Sequence, residues 1–575
     1  MKLTGTGRIL LWACGLLTAG DLWAQSGVPN QPQSLAATGV TDLRGLAPTL
    51  SGKGVQIALV ERSAGAAGRS DCAFLPNLEH QALRSANIRF VYFYDQADRE
   101  LCYSPHASLI AGLLFGADSQ ARTDELGFFA YTGSAPQASY DIYESCWFIR
   151  RQILAPAPLL IHNDVISLSW GTDDADAFTQ WWQRGLDALA ERDGNTIVAG
   201  CGNGNAKFRG IARPSWGYNI ISVGSAEGLG AFPENLRYVG GASGELTSFG
   251  PTDDGRAKPD CVAPGAVLGP AAESNSGYVR DSGANCYSSF AAPQVAGVAA
   301  LLIEAARQGG NAGADDPRLI KALILNGANK LAGWHKGECG LGDDTFVPLD
   351  FHQGAGLVNA ANSYRQLQAG AYDPNNLKTS GWLQAEVDLA EPNHAPIVYL
   401  PAPSANQPVK ATLCWYRHYQ PNRLFAPREL SHLTLELWAL DEAGNLAQRL
   451  DLSASPLDNV QHIYYPAAAA SSLALKIVPA PGQTGRETFA LAFTVEEANW
   501  AGDRLAADIN ADGVVDFQDL LLLLSSWGRQ EPTPRGGLVA DFTWFPQDLN
   551  LDGKIDAGDL TLLYQNWQNV SPWKK

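Results

Sequence analysis

One stretch constrains this chain more than any other: Ser289-Phe290-Ala291-Ala292-Pro293-Gln294-Val295-Ala296-Gly297, continued by Val298-Ala299-Ala300-Leu301-Leu302-Ile303-Glu304-Ala305-Ala306. Small and apolar residues dominate the run and nothing from Val298 onward breaks it, so it predicts a long helix buried in a core. Ser289 stands at its mouth. A hydroxyl there lies among the unpaired N–H groups of the first turn, at the positive end of the helix dipole, where developing negative charge is favoured. A plain N-cap serine would satisfy the same local pattern, so other parts of the chain must decide.

Three further stretches bear on that choice. His106-Ala107-Ser108-Leu109-Ile110-Ala111-Gly112 opens a second small-residue helix with a histidine. Ile197-Val198-Ala199-Gly200-Cys201-Gly202-Asn203 is an apolar strand ending in an asparagine, and Gly54-Val55-Gln56-Ile57-Ala58-Leu59-Val60-Glu61 is one ending in a carboxylate. A serine hydroxyl is a weak nucleophile at neutral pH; it needs a base within hydrogen-bond reach, and the base needs a third group to fix its tautomer. Ser289, His106 and Glu61 have the chemistry for those roles.

With Val165-Ile166-Ser167-Leu168-Ser169-Trp170-Gly171, Lys258-Pro259-Asp260-Cys261-Val262-Ala263-Pro264-Gly265, Lys321-Ala322-Leu323-Ile324-Leu325-Asn326-Gly327-Ala328 and Gly354-Ala355-Gly356-Leu357-Val358-Asn359-Ala360-Ala361 added, the chain resembles the subtilisin-like serine peptidases, or subtilases. Their catalytic residues follow the order acid, histidine, serine. The resemblance implies a serine endopeptidase that cleaves proteins or peptides through an acyl-enzyme on Ser289. His106 would be base and then acid, Glu61 would orient it, and Asn203 with the Ser289 N–H would hold the oxyanion. Spacing before Ala-Ala-Pro selects Ser289 over Ser288. The resemblance also makes Ser169, Trp170 and Gly171 the segment that pairs with substrate and walls the main pocket, with Trp170 either narrowing or lining it.

The chain departs from the family beside each catalytic position. Glu61 stands where the family usually has aspartate, and Arg62-Ser63 follows it in place of Thr-Gly or Ser-Gly. His106-Ala107-Ser108 replaces His-Gly-Thr, Tyr287-Ser288-Ser289-Phe290 replaces Gly-Thr-Ser-Met, and Gln294 replaces a histidine. A glutamate is one methylene longer, and a misplacement of about 1 Å can cost on the order of 100-fold in rate. Two readings follow: a divergent working peptidase, or a catalytically impaired subtilase-fold protein that binds or scaffolds.

Apolar strand-like runs at 55–60, 165–169, 196–200 and 220–223 alternate with helical patterns at 177–191, 291–307 and 318–326 across 51–370. That alternation predicts an α/β fold, a parallel sheet with helices on both faces and active residues at the carboxyl ends of its strands. Residues 25–50 read as a short leader, with no room for the folding propeptide many subtilases carry. Across 378–497 the helical period gives way to short alternating runs such as Val409-Lys410-Ala411-Thr412-Leu413-Cys414-Trp415, which predict an antiparallel β-sandwich.

The last part of the chain, 503–570, holds a repeat. Asp508, Asn510, Asp512, Val514, Asp516 and Asp519 recur in register as Asp548, Asn550, Asp552, Lys554, Asp556 and Asp559, with Gly513 and Gly553 at the sixth loop position and apolar helical runs at 520–527 and 560–567 behind them. Oxygen donors at loop positions 1, 3, 5, 9 and 12, a backbone carbonyl at 7 and a sharp glycine turn make a calcium loop of the EF-hand kind, with Asp at its last position. Two such loop-helix units resemble dockerin domains, small helical calcium-loop modules. This implies bound Ca2+ and a cohesin-like partner.

The formal net charge is -18, with 17% charged and 46% hydrophobic residues. That balance argues against nucleic-acid binding. Residues 1–24 read as a signal peptide, with Lys2 and Arg8 before an apolar run and Leu22-Trp23-Ala24 as the cleavage site. Cys14 leaves a lipid anchor as a poorer alternative. No other segment is read as a membrane span, so a secreted or extracytoplasmic protein is expected. Eight cysteines follow the leader (Cys72, Cys102, Cys146, Cys201, Cys261, Cys286, Cys339 and Cys414). They permit disulfides, Cys72–Cys102 being the pairing expected first, while Cys201 inside an apolar strand reads as a buried thiol.

Overall fold

The computed structural model describes residues 30–63, 74–92, 103–155, 160–204, 210–226, 246–280 and 287–495, less 125, 311–312, 332–333, 338–343, 404–407, 422–423 and 467–471, together with 515, 517–525, 527, 557–565 and 567. Residues 1–29, which include the expected signal peptide, Cys72, Cys102, Cys286, Cys339 and the positions expected to bind calcium (Asp508, Asn510, Asp512, Val514, Asp516, Asp548, Asn550, Asp552, Lys554 and Asp556) lie outside the described residues. So do the side chains of Asp519 and Asp559.

Seven parallel strands form the main sheet: β1 (Gln56–Glu61), β2 (Asn87–Tyr92), β3 (Ser139–Glu144), β4 (Val165–Leu168), β5 (Thr196–Gly200), β6 (Ile221–Ala226) and β7 (Cys261–Pro264), in the order β7-β6-β5-β4-β1-β3-β2. Their apolar side chains alternate between two cores. Ile57, Leu59, Val165 and Val198 face one core; Ala58, Val60, Ile166 and Ile197 face the other. A strand covered on both sides needs this continuous apolar run, which is why the sequence shows no polar alternation there.

Helices preceding and following the sheet strands fill both layers. The 25–50 segment is more than a lead-in: it folds as α1 (Gln31–Ala37) and α2 (Val40–Leu46), and Leu35, Val40 and Leu43 are buried in the first core. Asn30 and Gln33 close a reciprocal capping box at the start of α1. Next come α3 (Pro105–Phe115) and α4 (Ala177–Arg192), the latter burying Trp182, Leu186 and Leu189 in the second core. The Ser289–Ala306 run lies in α5 (Ser288–Gln308), which packs beneath β4 to β7 and beside α3. Among the described residues it is the one helix long and apolar enough to cross a membrane, which amends the expectation that no segment past the leader has that length. Its burial inside the helical layer accounts for its apolarity.

Beyond α6 (Pro317–Gly327) and α7 (Ala360–Ala369) comes the β-sandwich. Its strands are β8 (Ser380–Asp388), β9 (Ile397–Leu400), β10 (Pro408–Trp415), β11 (Leu433–Leu440), β12 (Leu446–Ser453), β13 (Val460–Pro466), β14 (Leu473–Pro479) and β15 (Arg486–Thr494). They pair antiparallel as β8-β15-β10-β13 and β9-β14-β11-β12. The first sheet lies on α6, and Cys414, Val460, Ala490 and Ala492 join the core of the parallel sheet. In the last part, α8 (Phe517–Ser525) and α9 (Ala557–Gln565) pack on one another, with Leu523 and Leu563 buried.

Candidate active site

Glu61 is the last residue of β1, in register with Glu144 at the end of β3. Its side chain is almost wholly buried, and its Oε2 lies 3.1 Å from Nδ1 of His106. His106 occupies the second position of α3. Ser104 caps that helix by accepting from Ala107 N–H at 3.1 Å, and Pro105 takes the first helical position, where its missing N–H costs nothing. The cap fixes where the imidazole leaves the helix, and the ring is 39% exposed against 2% for its carboxylate partner. The buried Glu61 takes the Nδ1 side of the ring. A carboxylate at Nδ1 selects the tautomer in which Nε2 is free to accept a proton. Among the described residues Glu61 Oε1 has no hydrogen-bond partner.

Ser289 is the second residue of α5, so its N–H has no carbonyl of the same helix to bond. Phe290 places its ring 5.6 Å from that of His106. No hydrogen bond joins Ser289 to His106 among the described residues; such contacts commonly tighten once substrate is bound.

Asn203 approaches Ser289 through Ser288. The Ser288 N–H donates to Asn203 Oδ1 at 2.8 Å, and the Ser288 hydroxyl lies 3.1 Å from the same oxygen while accepting from Gly202 N–H at 3.0 Å. A backbone N–H can only donate, so the atom facing it must be the amide oxygen, and Nδ2 is left as the donor end. Behind this, Asn203–Gly204 pairs antiparallel with Leu246–Thr247. Gly202 has φ 103°, and a Cβ there would stand 2.7 Å from that of Ala212, so only glycine fits. Cys201 is buried below, its Sγ 3.0 Å from the Ser248 carbonyl oxygen. Burial pushes its thiol up to about 12, so it is inert packing.

Ser169, Trp170 and Gly171 follow β4 without joining a strand. Trp170 lies against Trp182 of α4, ring centroids 5.7 Å apart, at the edge of the second core. Gly171 faces Ala212: a Cβ on it would lie 3.0 Å from the Ala212 methyl. Thr172 and Arg213 exchange two backbone hydrogen bonds of 2.9 Å, and Ala212 N–H donates to the Cys201 carbonyl at 2.7 Å. Segment 211–213 therefore spans from Gly171 and Thr172 on one side to Cys201 and Gly202, next to Asn203, on the other.

The structure thus brings Glu61 to His106 and sets Asn203 beside the start of α5. Two participants escaped the sequence reading. Ser288, set aside as a nucleophile, holds the asparagine amide. Ala212 fills the space between two glycines. Neither carries a local signal, because each acts on residues brought near it only by the fold.

A sequence model of the Subtilase family matches residues 69–356, half of the chain. Pyrolysin from Pyrococcus furiosus is 31% identical over 231 residues, covering 36% of this chain and 15% of pyrolysin, so the chain spans a small part of that relative's length. Among solved structures, a mutant of the protease domain of PatA aligns at 20% identity and a TM-score of 0.38, covering 56% of this chain and 98% of that one. Sphericase aligns at 19% identity and 0.36, covering 56% and 97%, and the PatG macrocyclase in complex with peptide at 15% and 0.40, covering 57% and 94%. By the family match, this chain belongs to the Subtilase family.

Proposed function

We propose that this protein is a serine endopeptidase acting on proteins or peptides. The observation that carries the reading is the 3.1 Å contact between buried Glu61 and His106, in a chain whose Ser289 opens a helix. Ser289 Oγ attacks the scissile carbonyl carbon and gives its proton to His106 Nε2. The negative oxygen that forms is met by Asn203 Nδ2 and the Ser289 N–H. Collapse expels the amine, which takes the proton from His106 and leaves an acyl ester on Ser289. Water, deprotonated by the same His106, then hydrolyses the ester. Ser169–Gly171 would pair with the extended substrate through main-chain hydrogen bonds.

The reading extends to an extracytoplasmic protein whose tail binds two Ca2+ ions and docks on a cohesin-like partner. What supports it is the apolar leader at the N-terminus and the all-oxygen donor set of the two loops. When bound, the ions would close the loops that precede α8 and α9.

A fluorophosphonate probe tests the catalytic reading. The purified protein should label, Ser289→Ala should abolish labelling, and Glu61→Gln should slow it by about 1,000-fold or more, since an uncharged partner disfavours the imidazolium that forms. Absence of labelling in a folded, calcium-loaded protein would favour the impaired binding protein instead.

A further inference from the structure

The wall at Ala212 and Arg213 does not stand by itself. From Arg213 a column of alternating cations and rings runs away from the cleft. The Arg213 guanidinium carbon lies 4.0 Å from the centre of the Trp216 ring, and that of Arg256 lies 5.8 Å from the same ring and 3.8 Å from that of Tyr218. Arg417, in the β-sandwich segment that follows β10, lies 5.4 Å from the other end, the Tyr218 ring. Nε of both Arg213 and Arg417 has no hydrogen-bond acceptor among the described residues, while Arg213 Nη1 reaches the Asp174 carbonyl at 3.5 Å; the Trp216 and Tyr218 ring faces are further partners of these two cations.

Hydrogen bonds lock the column at both ends and in the middle. Trp216 Nε1 donates to the Ile211 carbonyl at 2.8 Å, one residue before Ala212. Arg256 Nη1 donates to the Trp216 carbonyl at 2.7 Å. At the far end Arg417 N–H donates to Asn219 Oδ1 at 2.9 Å, and Asn219 Nδ2 donates to the Arg417 carbonyl at 3.0 Å. Asp458 of the sandwich accepts from Ala257 N–H at 3.0 Å, beside Arg256. The residues between cleft and sandwich are therefore held in one geometry by groups from both.

We propose that the β-sandwich sets the shape of the substrate pocket: Arg417 holds the column Tyr218–Arg256–Trp216–Arg213, and the column holds the Ala212–Arg213 wall between Gly171 and Gly202. These are positioning residues: they would act on the pocket through the backbone of the Ala212–Arg213 wall. The proposal rests on the peptidase reading of the Ser169–Gly171 cleft. A shift of about 1 Å in a group that shapes binding has large kinetic consequences, so loss of the stack at its remote end should alter selectivity between side chains rather than overall affinity.

The test uses the full chain in a Ser289→Ala background, with fluorescent product-like hexapeptides that differ only in a C-terminal Ala, Leu or Phe. Arg417→Ala and Tyr218→Leu should each change the Phe-to-Ala ratio of Kd at least 5-fold, with Tm within a few degrees of the parent. Tyr218→Phe, which keeps the ring, should restore the parent ratio. Amide exchange at Thr172, Ala212 and Arg213 should accelerate at least 10-fold in the first two variants only. Ratios and exchange that stay at the parent values overturn the proposal, as does a uniform weakening of all three peptides or a failure of any of them to bind. Fluorophosphonate labelling of the unmutated protein is scored separately. If that labelling is absent while the ratio still shifts, the peptidase reading fails and the pocket wall stands.

Discussion

At the residue scale, Glu61 and Asn203, the acid and the oxyanion donor of the proposed mechanism, differ in what their surroundings demand. Glu61 meets His106 from the end of its strand, so the longer side chain is accommodated within a sheet whose register is regular up to Glu61 itself. Asn203 depends on Ser288. Asn203→Ala should lower kcat by about 100- to 1,000-fold with little change in KM, because the lost donor acts on charge that exists only in the transition state. Ser288→Ala removes only the hydroxyl and leaves the 2.8 Å backbone bond to Asn203. A smaller fall in kcat, about 10-fold, is expected, with recovery in Ser288→Thr. Equal losses in the two variants would show that Ser288 does more than hold the amide. The places of Ser289, His106 and Asn203 in the fold were legible in the sequence because each sits in a contiguous motif at an element's end. The role of Ser288 was not, because its partner lies 85 residues away.

At the scale of elements, the turn after β10 ties three pieces together. Tyr416 donates to the Ala190 carbonyl at 3.1 Å and Tyr419 to the buried Asp187 at 2.6 Å, both on α4. Between them, His418 contacts Glu191 of α4 at 2.7 Å and Glu487 of β15 at 3.1 Å. These two carboxylates raise the imidazole from 6.5 to about 9. A raised folded-state value means that the link stabilises fully below pH 6.5 and fades as pH rises through about 9. Thermal melts should show it: His418→Gln should lower Tm at pH 6, and the gap to the unmutated protein should close by about pH 10. A gap independent of pH would mean that the ring acts by packing alone. The strands and long helices behind this link were readable because a doubly covered sheet demands uninterrupted apolar runs. The short helices α1 and α2 were not, since seven residues give too few turns for a periodic signal and their Gln, Ser and Pro content reads as loop.

At the scale of the molecule, the parallel sheet and the β-sandwich share a core across α6, and Asp187 with Tyr419, Asn219 with Arg417 and Asp458 with Ala257 bond across the same boundary. One cooperative transition should therefore carry residues 31–495 in calorimetry. Truncation near residue 370 should leave an aggregating fragment, because it uncovers the apolar face of α6. The tail should behave apart from it, with a transition that chelation removes and added Ca2+ restores. Two well-separated transitions for the main body would show that the shared core does not couple its halves. The sequence showed the two architectures but not their union, because the contact surfaces are ordinary apolar faces until the halves meet.

The buried thiols give the molecule an internal clock. Among the described residues Cys201, Cys261 in β7 and Cys414 in β10 are buried, while Cys146 is exposed. A thiol reagent should modify Cys146 first and wait for the fold to open before reaching the other three. If the halves open as one, Cys261 and Cys414 acquire the label at a common rate; if the sandwich lifts away first, Cys414 leads.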